Sequence, residues 1–280
     1  MPNIYYLDGQ FVPESEALLP ATDLAVLRGY GVFDYLRTYG GRPFHLQAHL
    51  ERLRHSANLI GLKLNHALPA LTDIIEDALE RSGYPEASIR IVATGGTSSD
   101  NIMPVEGESR LVVIITPPPV NPEAWYTHGV KVITHRADRF LPEAKTLNYI
   151  PAIIALQKAQ QQGAIDALYV DARGHVLEGT TTNLFAFYGD TLVTPGEGIL
   201  RGITRQATLK AAEEAFEVSI MPLTVEELLR ADEVFLTSSN KELCPVRQVD
   251  DQVIGKGVPG PNTHALAQLF KALTVESAGV

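Results

Sequence analysis

The chain has 280 residues, of which 45% are hydrophobic and 20% charged. That length fits two domains or one large α/β unit, and the composition excludes disordered and fibrous classes. A net charge of −10 argues against a basic nucleic-acid stripe, and the single cysteine, Cys244, against a disulfide framework or a cysteine-built metal site.

The amino-terminal stretch MPNIYYLDGQFVPESE has neither the basic start nor the apolar core of a signal peptide. The longest apolar run, 111–116, is far too short to span a bilayer. A soluble cytoplasmic protein is expected, with Cys244 as a small buried apolar residue. Asp8-Gly9 between apolar runs predicts a hairpin. Residues 31–39 read as a strand. Leu46, Leu50, Leu53, Ala57 and Ile60 recur at helical spacing, as do Leu71, Ile74, Ile75, Ala78 and Leu79, with Gly83 as the stop of the second helix. Strands are expected over 88–94 and 110–116.

The run TPPPVNP at 116–122 can neither continue a helix nor sit in a central strand, and suits a stiff linker. The expected division is a small N-terminal α/β domain over 1–117, a linker over 118–122 and a larger C-terminal domain over 123–280. Beyond it, 130–135 reads as a strand and 150–162 as a helix ending at Gly163. ALYVD and HVLEG form a hairpin about Ala172-Arg-Gly174, and TNLFAFY and TLVTP continue the β pattern. A helix is expected over 203–216, a capping box at Thr224-Val-Glu-Glu227, a strand over 233–237 and a last helix over 263–273. Two mixed α/β (α+β) domains follow, with a cleft between them as the natural ligand site.

Lys145, in PEAKTLNY, is by itself a solvated charge in a loop before a helix. Read as an imine-forming lysine, its amine must be partly desolvated to act as a nucleophile near neutral pH. Glu178 shares a strand face with Val176 and Thr180. A carboxylate there needs a cationic partner, either an ordinary salt bridge or a pyridinium nitrogen. In GILRGITR, Gly202 permits a tight turn, and the amides of Ile203 and Thr204 then open a helix. That is an anion site or a plain cap. Leu200 could lie flat on a bound ring. Thr237-Ser-Ser239-Asn240 follows a strand and can donate to a phosphate or simply turn. Arg52 borders the buried stripe of its helix and needs an anion, while Arg54 is offset and exposed.

The order Arg52, Lys145, Glu178 in EGTTTNLF, LRGITR and TSSN before Pro245-Val246 resembles the fold type IV (class IV) pyridoxal-phosphate aminotransferases. The likeness covers nearly the whole chain. It implies the two-domain fold of that family, with pyridoxal 5′-phosphate in the interdomain cleft, and a homodimer with active sites at the subunit interface. It implies that Lys145 carries the cofactor and serves as acid and base. Glu178 would pair with the pyridine nitrogen, Leu200 would support the ring, and Tyr149 would lie near the phenolic oxygen. Arg52, Ile203, Thr204, Ser239 and Asn240 would hold the phosphate, Ile203 and Thr204 through their amides. Asn240 stands where some members carry threonine.

An amino acid's carboxylate needs a cationic clamp. Alternation places Arg90 on the strand face opposite Ile89, Ile91 and Ala93, making it the first candidate; Arg28 and then Arg37 follow. The Arg-x-His element in which typical D-amino acid transaminases resemble one another is missing after residue 94. The VFEGIR-like run of branched-chain enzymes is here VFDYLR, with Tyr35 for the small glycine. The resemblance is therefore nearest to a D-amino acid transaminase with an atypical carboxylate trap. The alternatives are an L-branched-chain aminotransferase, an aminodeoxychorismate lyase and, from another class, a noncatalytic cofactor-binding protein.

Overall fold

The structure is a computed structural model that describes residues 3–279. Its chain divides into two units. The first comprises Met1–Pro119, Ala144–Tyr149 and Val275–Val280; the second comprises Val120–Glu143 and Ile150–Thr274. This corrects the expected division in one respect that matters for function: Lys145 belongs with the first unit. The reason is local. Its segment bonds along the start of the strand Gly31–Tyr39, with Thr146 bridging Val32. The amide of Phe33 donates to the Lys145 carbonyl at 2.9 Å, and the amide of Leu147 to that of Gly31 at 3.0 Å.

The first unit holds a six-stranded sheet in the order Gln10–Pro13, Ile4–Leu7, Arg110–Thr116, Ser88–Thr94, Gly31–Tyr39, Arg42–Pro43. The Asp8-Gly9 hairpin forms as expected, both residues having positive φ (44° and 96°) to match the twist of its strands. The helices Leu46–Leu59 and Leu68–Ser82 bury Leu50, Leu53, Ala57, Leu71 and Ile75 against Val32, Leu36, Ile89, Ile91 and Val113. Each such leucine, isoleucine or valine contributes roughly 1.5–3 kcal/mol. The second helix ends on Gly83 at φ 62°, the expected stop. The alternation that sends Val32 and Leu36 into this core sends Phe33, Tyr35 and Arg90 to the opposite face. It also sends Asp34 inward, where a charge must find partners.

The second unit holds a ten-stranded mixed sheet. Its middle strands, Asn183–Tyr188, Glu233–Ser238, Glu242–Val249, Val130–Arg136 and Asp166–Val170, pair in that order. Phe185 and Phe235, fully buried, stack with centroids 5.0 Å apart. The capping box at Thr224 and Glu227 forms as expected. The helix beginning at Ile203 ends at Ala212 rather than 216, the chain turning so that Phe216 packs on Phe187 at 5.0 Å. The last helix is longer than expected, Pro261–Ala278. No helix among the described residues is long and apolar enough to cross a membrane.

Candidate active site

In the first unit, Lys145 is half-buried. Its amide donates to Ser56 Oγ at 3.0 Å, and Nζ lies 4.6 Å from the centroid of the Phe33 ring. The same ring meets Tyr149 edge-on at 5.4 Å and lies 5.4 Å from the guanidinium carbon of Arg90. Arg90 is also 5.5 Å from the ring of Tyr35, whose hydroxyl is fixed by Ser88 Oγ at 2.6 Å. Two cations thus share one aromatic platform, which steadies them without neutralising them.

Beneath this face sits Asp34, with no solvent exposure. Arg52 donates to it through Nε (2.8 Å) and Nη2 (2.7 Å), and His49 Nδ1 lies 2.7 Å away. Burial would raise the Asp34 carboxyl, but Arg52 and His49 overcome this and hold it well below the usual carboxylate range. A fork gripped on one edge keeps its orientation, so Asp34 fixes that of Arg52.

In the second unit, Glu178 is 3% exposed. Its carboxylate accepts from Asn183 Nδ2 (3.1 Å) and the Leu200 amide (3.0 Å), and pairs closely with Arg139. Asn183 also donates to the Leu200 carbonyl at 2.8 Å, fixing the approach to Gly202. A Cβ at Gly202 would come within 2.1 Å of Asn183 Oδ1, so only glycine fits here without displacing that network. Gly202 then opens the helix Ile203–Ala212 with no side-chain cap. Next to Asn183 in the ladder is Thr237, 1% exposed. Among the described residues its Oγ1 has no hydrogen-bond partner, and buried Oδ1 of Asn240 has none either. The turn after Glu178 is tied by buried Asp166, which accepts from the amide of Thr180 (3.0 Å) and the hydroxyl of Thr182 (2.9 Å).

The model of the amino-transferase class IV family matches residues 31–249. That span is most of the chain and includes Lys145 and Glu178. The chain belongs to the class IV aminotransferase family. A putative branched-chain-amino-acid aminotransferase of Methanocaldococcus jannaschii is 34% identical over 276 residues, covering 95% of this chain and 94% of that one. A D-alanine aminotransferase of Bacillus licheniformis is 32% identical over 260 residues, covering 91% and 92%. Among solved structures, the branched-chain amino acid aminotransferase of Escherichia coli superposes with a TM-score of 0.92 at 26% identity, covering 98% of this chain and 95% of that one. A hypothetical aminotransferase of Mycobacterium tuberculosis, in its PLP-bound form, gives 0.84 at 28%, covering 98% and 99%.

In this aminotransferase the expected site residues therefore fall into two groups. Lys145, Tyr149, Arg52, Arg28, Arg37 and Arg90 stand on the first unit. Glu178, Leu200, Ile203, Thr204, Ser239 and Asn240 stand on the second. Arg37 lies 4.8 Å from the ring of Tyr39. Arg28 is exposed and donates through Nε to the Asn101 carbonyl at 3.0 Å. Asp34, His49, Asp166 and Arg139 went unread in the sequence. An inward-facing acid at Asp34, flanked by Val32 and Leu36, was the available signal for the first.

His49 adds a pH dependence. Burial lowers its pKa and outweighs the opposing pull of Asp34, so the native imidazole is neutral. The unfolded chain takes up that proton near pH 6.5. The unfolded state then binds more protons than the native one, so stability falls as pH drops below about 6.5. Thermal midpoints measured from about pH 7 down to pH 5 should fall less steeply for His49→Gln than for the parent. Parallel profiles would remove His49 as a cause.

Proposed function

We propose that this aminotransferase is a pyridoxal-phosphate transaminase moving the amino group of a D-amino acid, such as D-alanine or D-glutamate, to a 2-oxo acid. The observation that carries the reading is the shared Phe33 ring, with Lys145 Nζ at 4.6 Å and the Arg90 guanidinium at 5.4 Å. A cation able to take an α-carboxylate stands one ring away from the amine that must reach the Cα proton.

The residues present fit the cofactor. The uncapped helix start at Ile203 and Thr204, with the orphaned hydroxyl of Thr237 beside it, offers donors and dipole to a phosphate. The Asn240 amide, turned over, donates as well. Ser239 and Arg52 would donate to that phosphate as well, as the class IV resemblance implies. Bound pyridoxal phosphate supplies a sink for the electron pair left when the Cα proton departs. Glu178, held by Asn183, Leu200 and Arg139, would pair with the pyridine nitrogen and favour its protonated form. Leu200 would support the cofactor ring and Tyr149 would lie near its phenolic oxygen. With the cofactor bound, Lys145 Nζ would be the group that takes up and gives back the substrate's Cα proton. Arg90 and Arg28 orient the substrate through its carboxylate.

The homodimer belongs to the same proposal. The helix Ile150–Gln161 packs Ala152, Ala155 and Ala159 inward and exposes Ile150, Ile153 and Ile154. An outward isoleucine stripe suits a second copy of the chain. A monomer mass in sedimentation would remove this part.

One observation favours a second reading, an L-branched-chain aminotransferase: the M. jannaschii relative is 34% identical, the B. licheniformis one 32%. Tyr35 argues the other way, because its pinned ring narrows a pocket that a glycine would leave open. Absorption spectra of the cofactor-loaded protein mixed with single amino acids separate the readings. Conversion to the pyridoxamine form by D-alanine or D-glutamate alone is expected. Arg90→Ala should weaken that response by roughly tenfold or more in amino-acid concentration, the loss of a charged hydrogen bond. Conversion by L-leucine and L-glutamate alone would move the protein to the branched-chain group. No conversion by either would point to lyase chemistry or to cofactor binding without turnover.

A further inference from the structure

Asp166 is fully buried, at 0% exposure. It opens the strand Asp166–Val170 of the second unit, where its backbone pairs with Val132. A carboxylate removed from water persists only where donors replace the solvent. Most of its donors come from one turn. Oδ1 accepts from the amide of Thr180 at 3.0 Å and from its hydroxyl at 2.5 Å, and Oδ2 accepts from the hydroxyl of Thr182 at 2.9 Å. The amide of Ala167 adds a bond to Oδ1 at 2.8 Å. The turn closes tightly around that carboxylate, the Gly179 amide donating to the Thr182 carbonyl at 2.8 Å. A Cβ at Gly179 would lie 2.2 Å from Thr182 Oγ1 and 2.7 Å from Asp166 Oδ2, so a side chain there would force these groups apart.

Glu178 comes just before this turn, in the strand His175–Gly179, and Asn183 just after it, at the start of the strand Asn183–Tyr188. Their side chains meet across it, Asn183 Nδ2 donating to Glu178 Oε2 at 3.1 Å. The bond exists only while the turn keeps its shape. Residues 180–182 belong to neither strand, so that shape is set where they are tied, at Asp166.

We propose that Asp166 is a positioning residue: by holding the hydroxyls of Thr180 and Thr182 it fixes the turn that joins Glu178 to Asn183, and so presets the direction in which the Glu178 carboxylate points. This rests on the reading of Glu178 as the partner of the cofactor's pyridine nitrogen. A carboxylate already aimed gives up less side-chain freedom on binding than one that must be ordered by the ligand.

The test measures the dissociation constant of pyridoxamine phosphate, which cannot link to a lysine, from the full-length protein freed of cofactor. Thr182→Val removes one hydroxyl from Asp166 and should weaken binding by about three- to tenfold, the effect of one hydrogen bond. Asp166→Ala should weaken it at least as much. Thr182→Ser keeps the hydroxyl and should bind as the parent does. In a Glu178→Ala background neither Thr182→Val nor Asp166→Ala should weaken binding further, because the group they place is gone. Glu178→Ala without effect on pyridoxamine phosphate would overturn the reading of Glu178 and this inference with it. Weakening by Glu178→Ala, but parent-like binding in Thr182→Val and Asp166→Ala, would overturn the inference alone. Equal losses with and without Glu178, or a loss in Thr182→Ser as large as in Thr182→Val, would also overturn it, since they would mark general damage. Should Asp166→Ala fail to fold, Thr182→Val, Thr182→Ser and the combination of Thr182→Val with Glu178→Ala carry the comparison.

Discussion

Lys145→Ala is expected to cut turnover by at least about 10²-fold and to erase the absorption band of the lysine-linked cofactor. Neither of the other groups on the Phe33 ring can take over. Tyr149 meets the ring edge-on, and the Arg90 guanidinium offers no primary amine to link to the cofactor. Lys145→Arg sharpens the test. It keeps a cation over the Phe33 ring but cannot act as a nucleophile, so packing persists while chemistry disappears. A parent spectrum in either variant would displace Lys145 from its role.

Asp34→Ala is expected to cost roughly 3–5 kcal/mol, the usual penalty for removing one partner of a buried ion pair. The loss would leave Arg52 Nη2 and His49 Nδ1, 3.4 Å apart, facing a hole without a carboxylate. The first unit should therefore melt earlier. Urea titration followed by two probes is the suitable measurement, since two units need not unfold as one. Cofactor phosphate affinity should fall as well, because Arg52 loses the group that orients it. A stability change under about 1 kcal/mol would mean that solvent replaces the carboxylate and that Asp34 is not the anchor described.

Much of this was readable in the chain. The strands 88–94 and 110–116 have the bounds their apolar patterns gave, because β-branched Ile89, Ile91 and Val92 in the first and Val112, Val113, Ile114 and Ile115 in the second lie between polar ends. Glu178 and LRGITR stood out because short polar or glycine-bearing motifs interrupt the apolar pattern, whereas Lys145, a loop residue, stood out only in combination with them. The strand Glu242–Val249 did not stand out, as Pro245 within it lacks the amide a ladder residue usually donates. Nor did the partners. Asp34 and Arg52 are 18 residues apart and Arg139 and Glu178 are 39 apart, and no local period links them. The placement of Lys145 followed its edge bonds to Gly31 and Phe33, which composition alone does not encode.

Those edge bonds also decide how the chain can be cut. The backbone passes from one unit to the other at 119/120, 143/144, 149/150 and 274/275, so neither unit is a single stretch of sequence. A fragment ending at the proline run would lack the 144–149 segment that covers Val32 and Phe33. The complementary fragment would carry Lys145 away from the Phe33 ring beside it. Inheritance, duplication or swapping of one half alone would thus separate Lys145 from the strand it bonds to, which binds both halves to a common evolutionary fate.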